Sequence, residues 1–286
     1  MKRTALVDLS DTHGGHRLGL LNPDVTLYDE TEDGFLVPFT PKLTASQEYL
    51  WELYQQNIAF VANMKADEVI VIHDGDLTQG NKYPQQLVST RLADQIEIGL
   101  TNLEPWFELP NMRVMRIVAG TQSHNFSEAS AEITVANSLR RSYKDHDIKV
   151  LYHGLSRIGG LQVDYSHHGP FPGSRTWLRG NEARYYLRSL MMEEIMGGRV
   201  PPRLVLRAHY HTYVEETLTI QVGNKFYTST LVVNPSFCMM GDYARQAARS
   251  PAGITNGLIV FEIIDGELYK IHRLTRSIDV RTKEIL

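Results

Sequence analysis

The sequence is poor in cysteine and in long apolar runs, and both shortages narrow the class of protein. Cys238 is the single cysteine among 286 residues. This excludes a disulfide framework within the sequence and a cysteine-based zinc site, and it favours a reducing compartment. No run of about 18 apolar residues occurs, so no membrane-spanning helix is expected. The first strand-like run is short and contains Asp8, unlike a signal peptide. We therefore predict a cytoplasmic protein without membrane association.

The sequence also lacks an excess of positive charge. Its net charge is −4, with 29 basic and 33 acidic residues, so the whole molecule does not attract nucleic acid or anionic membranes. A local basic patch is still compatible with this balance. The hydrophobic fraction of 42% and charged fraction of 22% are ordinary for a globular protein. No repeat, low-complexity tract or linker interrupts the chain, and we predict one α/β domain over residues 1–286.

Short apolar runs alternate with amphipathic stretches along the first two thirds of the chain. The runs predict buried strands, and the 3.6-residue periodicity of the longer stretches predicts helices. Residues 17–43 show no clear period and predict a long loop excursion. Residues 215–286 are β-rich, and Asp265-Gly266 predicts a hairpin turn there. The predicted strands cover 5–9, 69–72, 112–119, 148–152, 161–165 and 204–206, with a possible pairing of 148–152 and 161–165 across Gly159-Gly160. One predicted helix starts near Thr44, and three others cover 85–104, 128–143 and 179–196.

Aspartate or histidine follows the end of each of five predicted strands. Asp11 and His13 are two residues apart, a spacing that directs both side chains to one side of an extended backbone. Asp76 follows the buried run 69–72, at the edge where open α/β sheets place their chemistry. Taken alone, each pair is equally compatible with a surface turn. The other groups are the segment from Gly120 to His124, the pair His167-His168, and the pair His209 and His211.

The order of these groups resembles that of the calcineurin-like metallophosphoesterase superfamily. The pattern of that family runs D-x-H, G-D, G-N-H-[DE], a histidine before Gly or Pro, and G-H-x-H. The resemblance extends from Leu6 to Thr212, and the Gly-Thr-x-x-His form of the third group is similar to that of phage and prophage members. It implies a four-layer αββα sandwich with two mixed β-sheets flanked by helices.

The resemblance also implies two divalent metal ions that share Asp76. It places Asp11, His13, Asp76 and His211 at one metal, and Asp76, His168, His209 and a residue of the Gly120 loop at the other. The family's asparagine is missing from that loop, and Gln122 or Thr121 is the candidate replacement, with Gln122 preferred. His168 is preferred over His167 because Gly169-Pro170 follows it. His167, Asp74 and His16 are expected to orient ligands or to serve as alternatives, and His124 is expected to contact the phosphoryl group as the catalytic residue.

Nitrogen and oxygen ligands without a thiolate suit Mn, Fe, Zn, Co or Ni, and we favour Mn. The implied reaction is hydrolysis of a phosphodiester by a metal-bound hydroxide. Nucleic acid, DNA or RNA, is the favoured substrate, because residues 17–43 and Arg175 and Arg179 would suit a polymeric leaving group. A solvated helix face is the default interpretation of these arginines. The alternatives are a small-nucleotide or cyclic-nucleotide phosphodiesterase, a phosphoprotein phosphatase, and a metal-binding scaffold that has lost catalysis. The oligomeric state is not predicted.

Overall fold

The chain has a mixed α/β fold, as predicted. The structure is a computed structural model that describes residues 1–172, 180–241 and 252–284. The strands are β1 (Arg3–Leu9), β2 (Leu27–Glu30), β3 (Leu36–Phe39), β4 (Glu68–His73), β5 (Met112–Val118), β6 (Asp147–Leu151), β7 (His153–Ile158), β8 (Leu161–Ser166), β9 (Leu204–Arg207), β10 (Val214–Val222), β11 (Lys225–Val233), β12 (Gly253–Ile264) and β13 (Glu267–Asp279). The α-helices are α1 (Ala45–Asn63), α2 (Leu92–Leu103), α3 (Ser130–Ser142) and α4 (Asn181–Met196).

A six-stranded mixed sheet contains β1, β4, β5 and β6 together with the C-terminal strands β12 and β13. Its strand order is β13-β12-β1-β4-β5-β6. Strands β1, β4, β5 and β6 are parallel, and β12 is antiparallel to both β1 and β13. The carboxyl ends of parallel strands lie at one edge of a sheet. The loops after β1, β4 and β5, which contain Asp11, Asp76 and Gly120, therefore leave from the same edge.

A five-stranded mixed sheet carries most of the second half, in the order β10-β11-β9-β8-β7. Strands β8, β9 and β11 are parallel, and the hairpins β7–β8 and β10–β11 are antiparallel. The turn at Gly159-Gly160 was predicted, but the partner of β8 was not. The run 148–152 forms β6 at the edge of the other sheet, and residues 153–158 pair with β8 instead.

The two sheets share a buried apolar cluster. Leu6, Ile72 and Phe261 of the six-stranded sheet belong to the same cluster as Val163 and Leu206 of the five-stranded sheet. Their neighbours along each strand point the other way, because side chains alternate across a strand. Each buried side chain of this kind contributes about 1.5–3 kcal/mol through its removal from water. The interface between the sheets is therefore a hydrophobic core.

Helices cover the outer face of each sheet. Val7 and Val71 join Leu53 of α1 and Leu139 of α3 in a second cluster. On the five-stranded sheet, side chains such as Val205 pack with α4. The start of α1 agrees with its sequence signal, since Thr44 and Gln47 form a capping box.

Two segments differ from the sequence prediction. Within the excursion 17–43, β2 and β3 form an antiparallel hairpin that was not predicted. Helix α2 begins at Leu92 and not at 85, because the preceding residues bond to the loop after β1. Val88 N donates to Gly15 O at 2.8 Å, and Arg17 N donates to Gln86 O at 2.8 Å. Among the described residues, no helix is long and apolar enough to cross a membrane.

Candidate metal centre

The loops after β1 and β4 lie side by side. Asp11 N donates to Gly75 O at 3.0 Å, and His13 N donates to Asp76 O at 3.0 Å. These bonds continue the parallel pairing of the two strands, in which Leu9 faces His73. Asp11 and Asp76 are both buried, with 0% and 2% of their surface exposed. The two carboxylates that the sequence singled out are therefore brought together.

Five of the predicted ligands have a left-handed backbone. Only eleven non-glycine residues in the described chain have a positive φ, and five of them come from this set. Such conformations cost about 1–3 kcal/mol each and persist where the surrounding structure enforces them, most often at functional sites. The strained backbone therefore marks the same loops as the motifs. The five residues are Asp11 (φ 51°), His13 (45°), Asp76 (52°), His209 (77°) and His211 (51°).

The first cluster consists of Asp11, His13 and His211. The two histidines face each other, with 3.1 Å between their Nε2 atoms. Asp11 Oδ1 lies 3.2 Å from His211 Nε2 and 3.8 Å from His13 Nε2. This oxygen is buried and has no hydrogen bond. Three atoms that can each offer a lone pair thus converge on one point, which suits a cation.

The second cluster forms around Asp76. Its Oδ2 lies 3.1 Å from His167 Nε2, 3.9 Å from His209 Nδ1 and 4.0 Å from His13 Nε2. Asp76 is thus in contact with a histidine of the first cluster as well as with its own. Four groups of three ligand atoms, with all atoms of a group within 4.8 Å of one another, meet here. They are His167, His168 and His209; Asp11, His13 and His211; His13, Asp76 and His124; and Asp11, Asp76 and His167.

The structure reverses the preference between the two neighbouring histidines. His167 is 1% exposed and faces Asp76, whereas His168 is exposed, with its ring centroid 4.8 Å from that of His209. His167 Nδ1 bonds to Asp74 O at 2.7 Å, so Asp74 orients the ring through its main-chain carbonyl. The loop leaves room for the ring at Gly75 (φ 94°), where a Cβ would lie 2.3 Å from His167 Nδ1. His167 is the inner ligand candidate, and His168 lies at the mouth.

Strand alternation is the signal that would have identified His167. Leu161, Val163 and Tyr165 of β8 all belong to the cluster between the sheets. His167 has the same parity and continues this inward row, while His168 has the opposite parity. The Gly169-Pro170 pair after His168, on which the preference for His168 was based, was the weaker signal for the inner histidine.

Another predicted ligand is not brought into the cluster. The Gln122 side chain is exposed and makes no hydrogen bond to the described part of the chain, so this structure does not bring it to the other predicted ligands. Thr121 lies in the cluster instead, with its Oγ1 3.2 Å from Asp76 Oδ2. The reason is main-chain direction, because Thr121 N donates to Asp76 Oδ1 at 2.5 Å and turns the next residue outward. Arg175 and Arg179 lie outside the described residues.

Both carboxylates are held in the charged form. Burial acts to raise the pKa of Asp11, but His211 and His13 outweigh it, and the pKa lies well below its usual range. Burial likewise acts to raise the pKa of Asp76, and His167 and His209 reverse the effect. Two adjacent buried carboxylates remain ionised only because cationic or hydrogen-bonding groups surround them. This electrostatic environment is the one that a divalent cation would reinforce.

His167 and His13 differ in protonation state. Burial acts to lower the pKa of His167, but the nearby Asp76 raises it to about 10, so the ring is cationic at neutral pH. Burial lowers the pKa of His13 to about 4, although the nearby Asp11 carboxylate favours its charged form. A neutral His13 has a free lone pair for a cation, whereas His167 must first lose a proton.

His124 lies at the edge of the first cluster. Its ring centroid is 4.8 Å from that of His13, in an edge-to-face arrangement. Its Nδ1 is 2.5 Å from Gln79 O. Because a carbonyl oxygen only accepts, Nδ1 carries the proton in this bond, and Nε2 is the ring nitrogen that could contact a ligand. His124 therefore lies beside the predicted ligands, in a group with His13 and Asp76 that could hold a cation.

His16 is not a ligand in this arrangement. Its Nδ1 accepts from Leu18 N at 2.9 Å, and its Nε2 lies 3.2 Å from Gln86 Oε1. Burial lowers its pKa to about 4. Both ring nitrogens are thus occupied, and the ring links the loop after β1 to the segment before α2.

The similarity of this chain to known proteins is weak. No family model and no curated protein match the sequence. Among solved structures, the chain is similar to a metallophosphoesterase from Sphaerobacter thermophilus, with 9% identity, a TM-score of 0.33, and 91% of this chain and 84% of that chain covered. It is also similar to a protein of unknown function from Aquifex aeolicus, with 15% identity, a TM-score of 0.31, and 72% and 78% covered. At this level of similarity, the function has to be inferred from the residues of the cluster.

Proposed function

We propose that the chain is a metal-dependent phosphoesterase that hydrolyses a phosphodiester with the help of two divalent cations. The observation that carries the proposal is the position of Asp76 between two clusters of ligand atoms. Its Oδ2 is 3.1 Å from His167 Nε2 on one side and 4.0 Å from His13 Nε2 on the other. A carboxylate has two oxygens and can bridge two cations, whereas a neutral imidazole cannot.

The donor set fits two cations. Asp11, His13, Asp76 and His211 would hold the first, and Asp76, His167 and His209 would hold the second, with His168 available at the mouth. The buried Asp11 Oδ1 without a hydrogen bond, and the two histidine nitrogens 3.1 Å apart, support the first site. When bound, a pair of divalent cations stabilises charge on a phosphoryl group and activates water at neutral pH. Mixed nitrogen and oxygen donors without a thiolate suit Mn, Fe, Zn, Co or Ni, and we propose Mn.

His124 is the proposed catalytic residue among the protein side chains. The bond from Nδ1 to Gln79 O fixes the ring. Nε2 would donate a proton to the leaving ester oxygen, so that the leaving group departs as an alcohol, while Nδ1 would keep its proton. His13, beside it, is held uncharged by burial and would not compete for this role.

Single-stranded nucleic acid is the proposed substrate class. The hairpin β2–β3 exposes Tyr28 by 48%, Phe35 by 71% and Phe39 by 38%, and exposed aromatic rings stack on unpaired bases. Asp29 and Asp33 on the same hairpin are exposed and acidic. Their negative charge disfavours contacts to the many backbone phosphates of a duplex. Arg175 and Arg179 remain proposed phosphate contacts from the sequence alone.

We further propose that residues 1–286 form one four-layer αββα domain in a cytoplasmic protein. The cluster shared by the two sheets and the helix-covered outer faces support the layers. The single cysteine supports a reducing compartment.

Hydrolysis of an aryl phosphodiester tests the function. We expect wild-type protein with Mn²⁺ to hydrolyse bis(4-nitrophenyl) phosphate and a single-stranded oligonucleotide, and Asp76→Asn to lose both activities. Asp145→Asn is the matched control, because it makes the same chemical change at an exposed acid in the turn between α3 and β6. Hydrolysis by Asp76→Asn at the wild-type rate would contradict the proposal. One metal per chain without hydrolysis would support a binding scaffold instead.

A further inference from the structure

The loop after β5 has no asparagine at the place where the resemblance implies a ligand. We propose that the hydroxyl of Thr121 replaces it as an oxygen donor to the second cation, so that this site favours Mn²⁺ or Mg²⁺ over Zn²⁺. This inference rests on the proposed function, since it assigns a ligand of the same metal centre.

The hydroxyl lies among the other ligands of that site. Thr121 Oγ1 is 3.2 Å from Asp76 Oδ2, 3.3 Å from His167 Nε2 and 3.2 Å from His209 Nδ1. One oxygen within 3.3 Å of three ligand atoms faces the same point as they do. A hydroxyl has one hydrogen and two lone pairs, so it can donate to Asp76 and still offer an electron pair to a cation.

The main chain holds Thr121 in this position. Thr121 N donates to Asp76 Oδ1 at 2.5 Å, so one carboxylate receives both the amide and the hydroxyl of the residue. The preceding Gly120 is fixed at both polar groups, because its N donates to Glu132 Oε1 at 3.1 Å and its O accepts from Asn125 Nδ2 at 3.2 Å. A Cβ on Gly120 would lie 2.2 Å from Asp76 N, so the glycine permits this close approach.

Threonine is suited to hold the oxygen in place. Its β-branched side chain has few accessible χ1 rotamers, so little conformational freedom is lost when the hydroxyl is fixed. The two amide side chains of the loop are used differently. The Asn125 amide bonds to the main chain of Gly120, and the Gln122 side chain is exposed.

The donor type determines the expected metal preference. A neutral hydroxyl is a hard oxygen donor, and hard donors suit Mg²⁺ and Mn²⁺, whereas Zn²⁺ is softer and accepts nitrogen and sulfur. Removal of the hydroxyl would therefore weaken Mn²⁺ binding at the second site more than Zn²⁺ binding. Thr121 Oγ1 makes its hydrogen bonds to Asp76, His167 and His209 and none to Asp11, His13 or His211, so the affinity of the first site should change little.

Metal titration with four loop variants tests the inference. Full-length protein is stripped with chelator and titrated with MnCl₂ or ZnCl₂ by calorimetry, and bound metal is counted by elemental analysis after dialysis. We expect two Mn²⁺ per chain for wild type, Thr121→Ser and Gln122→Ala. For Thr121→Val we expect the second Mn²⁺ to bind about 10–100-fold more weakly, as for other losses of ligand-sphere interactions. Thr121→Ala repeats the test if the valine variant does not fold, as judged by circular dichroism.

The outcomes separate this inference from the proposed function. Two Mn²⁺ bound with wild-type affinity by a folded Thr121→Val or Thr121→Ala would overturn the role of Thr121, as would a loss of the second metal in Gln122→Ala. A wild-type protein that binds fewer than two Mn²⁺ would overturn it as well. A wild-type protein that binds two Mn²⁺ but hydrolyses no phosphodiester would contradict the proposed function. The metal counts of the variants would still decide whether the Thr121 hydroxyl is a ligand.

Discussion

Asp76→Asn should destabilise the metal-free protein in a way that depends on pH. The substitution preserves the shape of the side chain and removes the negative charge 3.1 Å from His167 Nε2. Both residues are buried, with 2% and 1% of their surface exposed. Loss of one partner of a buried ion pair costs about 3–5 kcal/mol, because the other charge is left uncompensated. We therefore expect the free energy of unfolding to fall by about 3–5 kcal/mol at pH 6.

The dependence on pH follows from the pKa of His167. Folding raises it from an unfolded value near 6.5 to about 10, through Asp76 and against the effect of burial. A raised pKa gives stability that is fully present below the unfolded pKa and is lost as the pH rises through the folded pKa. The difference between wild type and Asp76→Asn should accordingly be largest at or below pH 6.5. It should shrink as the pH approaches 10, where His167 becomes neutral in the wild type too.

Urea unfolding measures this difference. The transitions are followed by tryptophan fluorescence in the presence of chelator at pH 6, 8 and 9.5, since Trp106 is fully buried and reports on the core. Asp33→Asn, at an exposed site, controls for loss of one negative charge and should change the unfolding free energy little. A penalty for Asp76→Asn that is the same at all three pH values, or absent at pH 6, would refute the ion pair as we describe it.

Three further predictions concern the metal site and the core. Binding of Mn²⁺ at pH 8 should release about one proton, because ligation requires the neutral form of His167. Calorimetry in two buffers of different ionisation enthalpy measures the number of protons released. Binding without proton release would contradict the raised pKa of His167. Gly120→Ala should abolish binding of the second metal, since its Cβ would lie 2.3 Å from Asp76 Oδ1. In the control Gly241→Ala, the Cβ meets no atom of the described chain closer than 3.7 Å, and the variant should bind two metals. Equal metal counts for the two variants by elemental analysis would contradict this prediction. Tyr54→Phe should lower the free energy of unfolding by about 1–3 kcal/mol, because the Tyr54 hydroxyl donates to Asn102 O and accepts from Trp106 Nε1. An unchanged urea midpoint would contradict a stabilising role of these two hydrogen bonds.

Strand positions could be predicted well because burial and sequence coincide there. Residues 69–72 are an uninterrupted apolar run, and the strand β4 is buried along nearly its whole length. The first residues of the site follow from this, since Asp76 comes directly after a strand that is central in its sheet. The pairing of the strand at 148–152 could not be predicted, because its apolar residues fit either sheet and only the chain path selects one.

The loop ligands were harder to assign than the strands. Asp11, His13, His209 and His211 were identified from their order along the chain, and the structure brings them together. Their backbone conformation could not be read from the sequence, because aspartate and histidine rarely occupy the left-handed region without enforcement from neighbouring groups. The Gly120 loop illustrates the difference: Thr121 and Gln122 both carry an oxygen, and only the bond from Thr121 N to Asp76 decides which one faces inward.

The central claim is that one carboxylate contacts two cations, and anomalous scattering from crystals grown with Mn²⁺ tests it most directly. We predict two anomalous peaks about 3.5–4 Å apart, the usual spacing in two-metal sites, with an Asp76 oxygen between them. A single peak, or two peaks that do not share Asp76 as a ligand, would contradict the account.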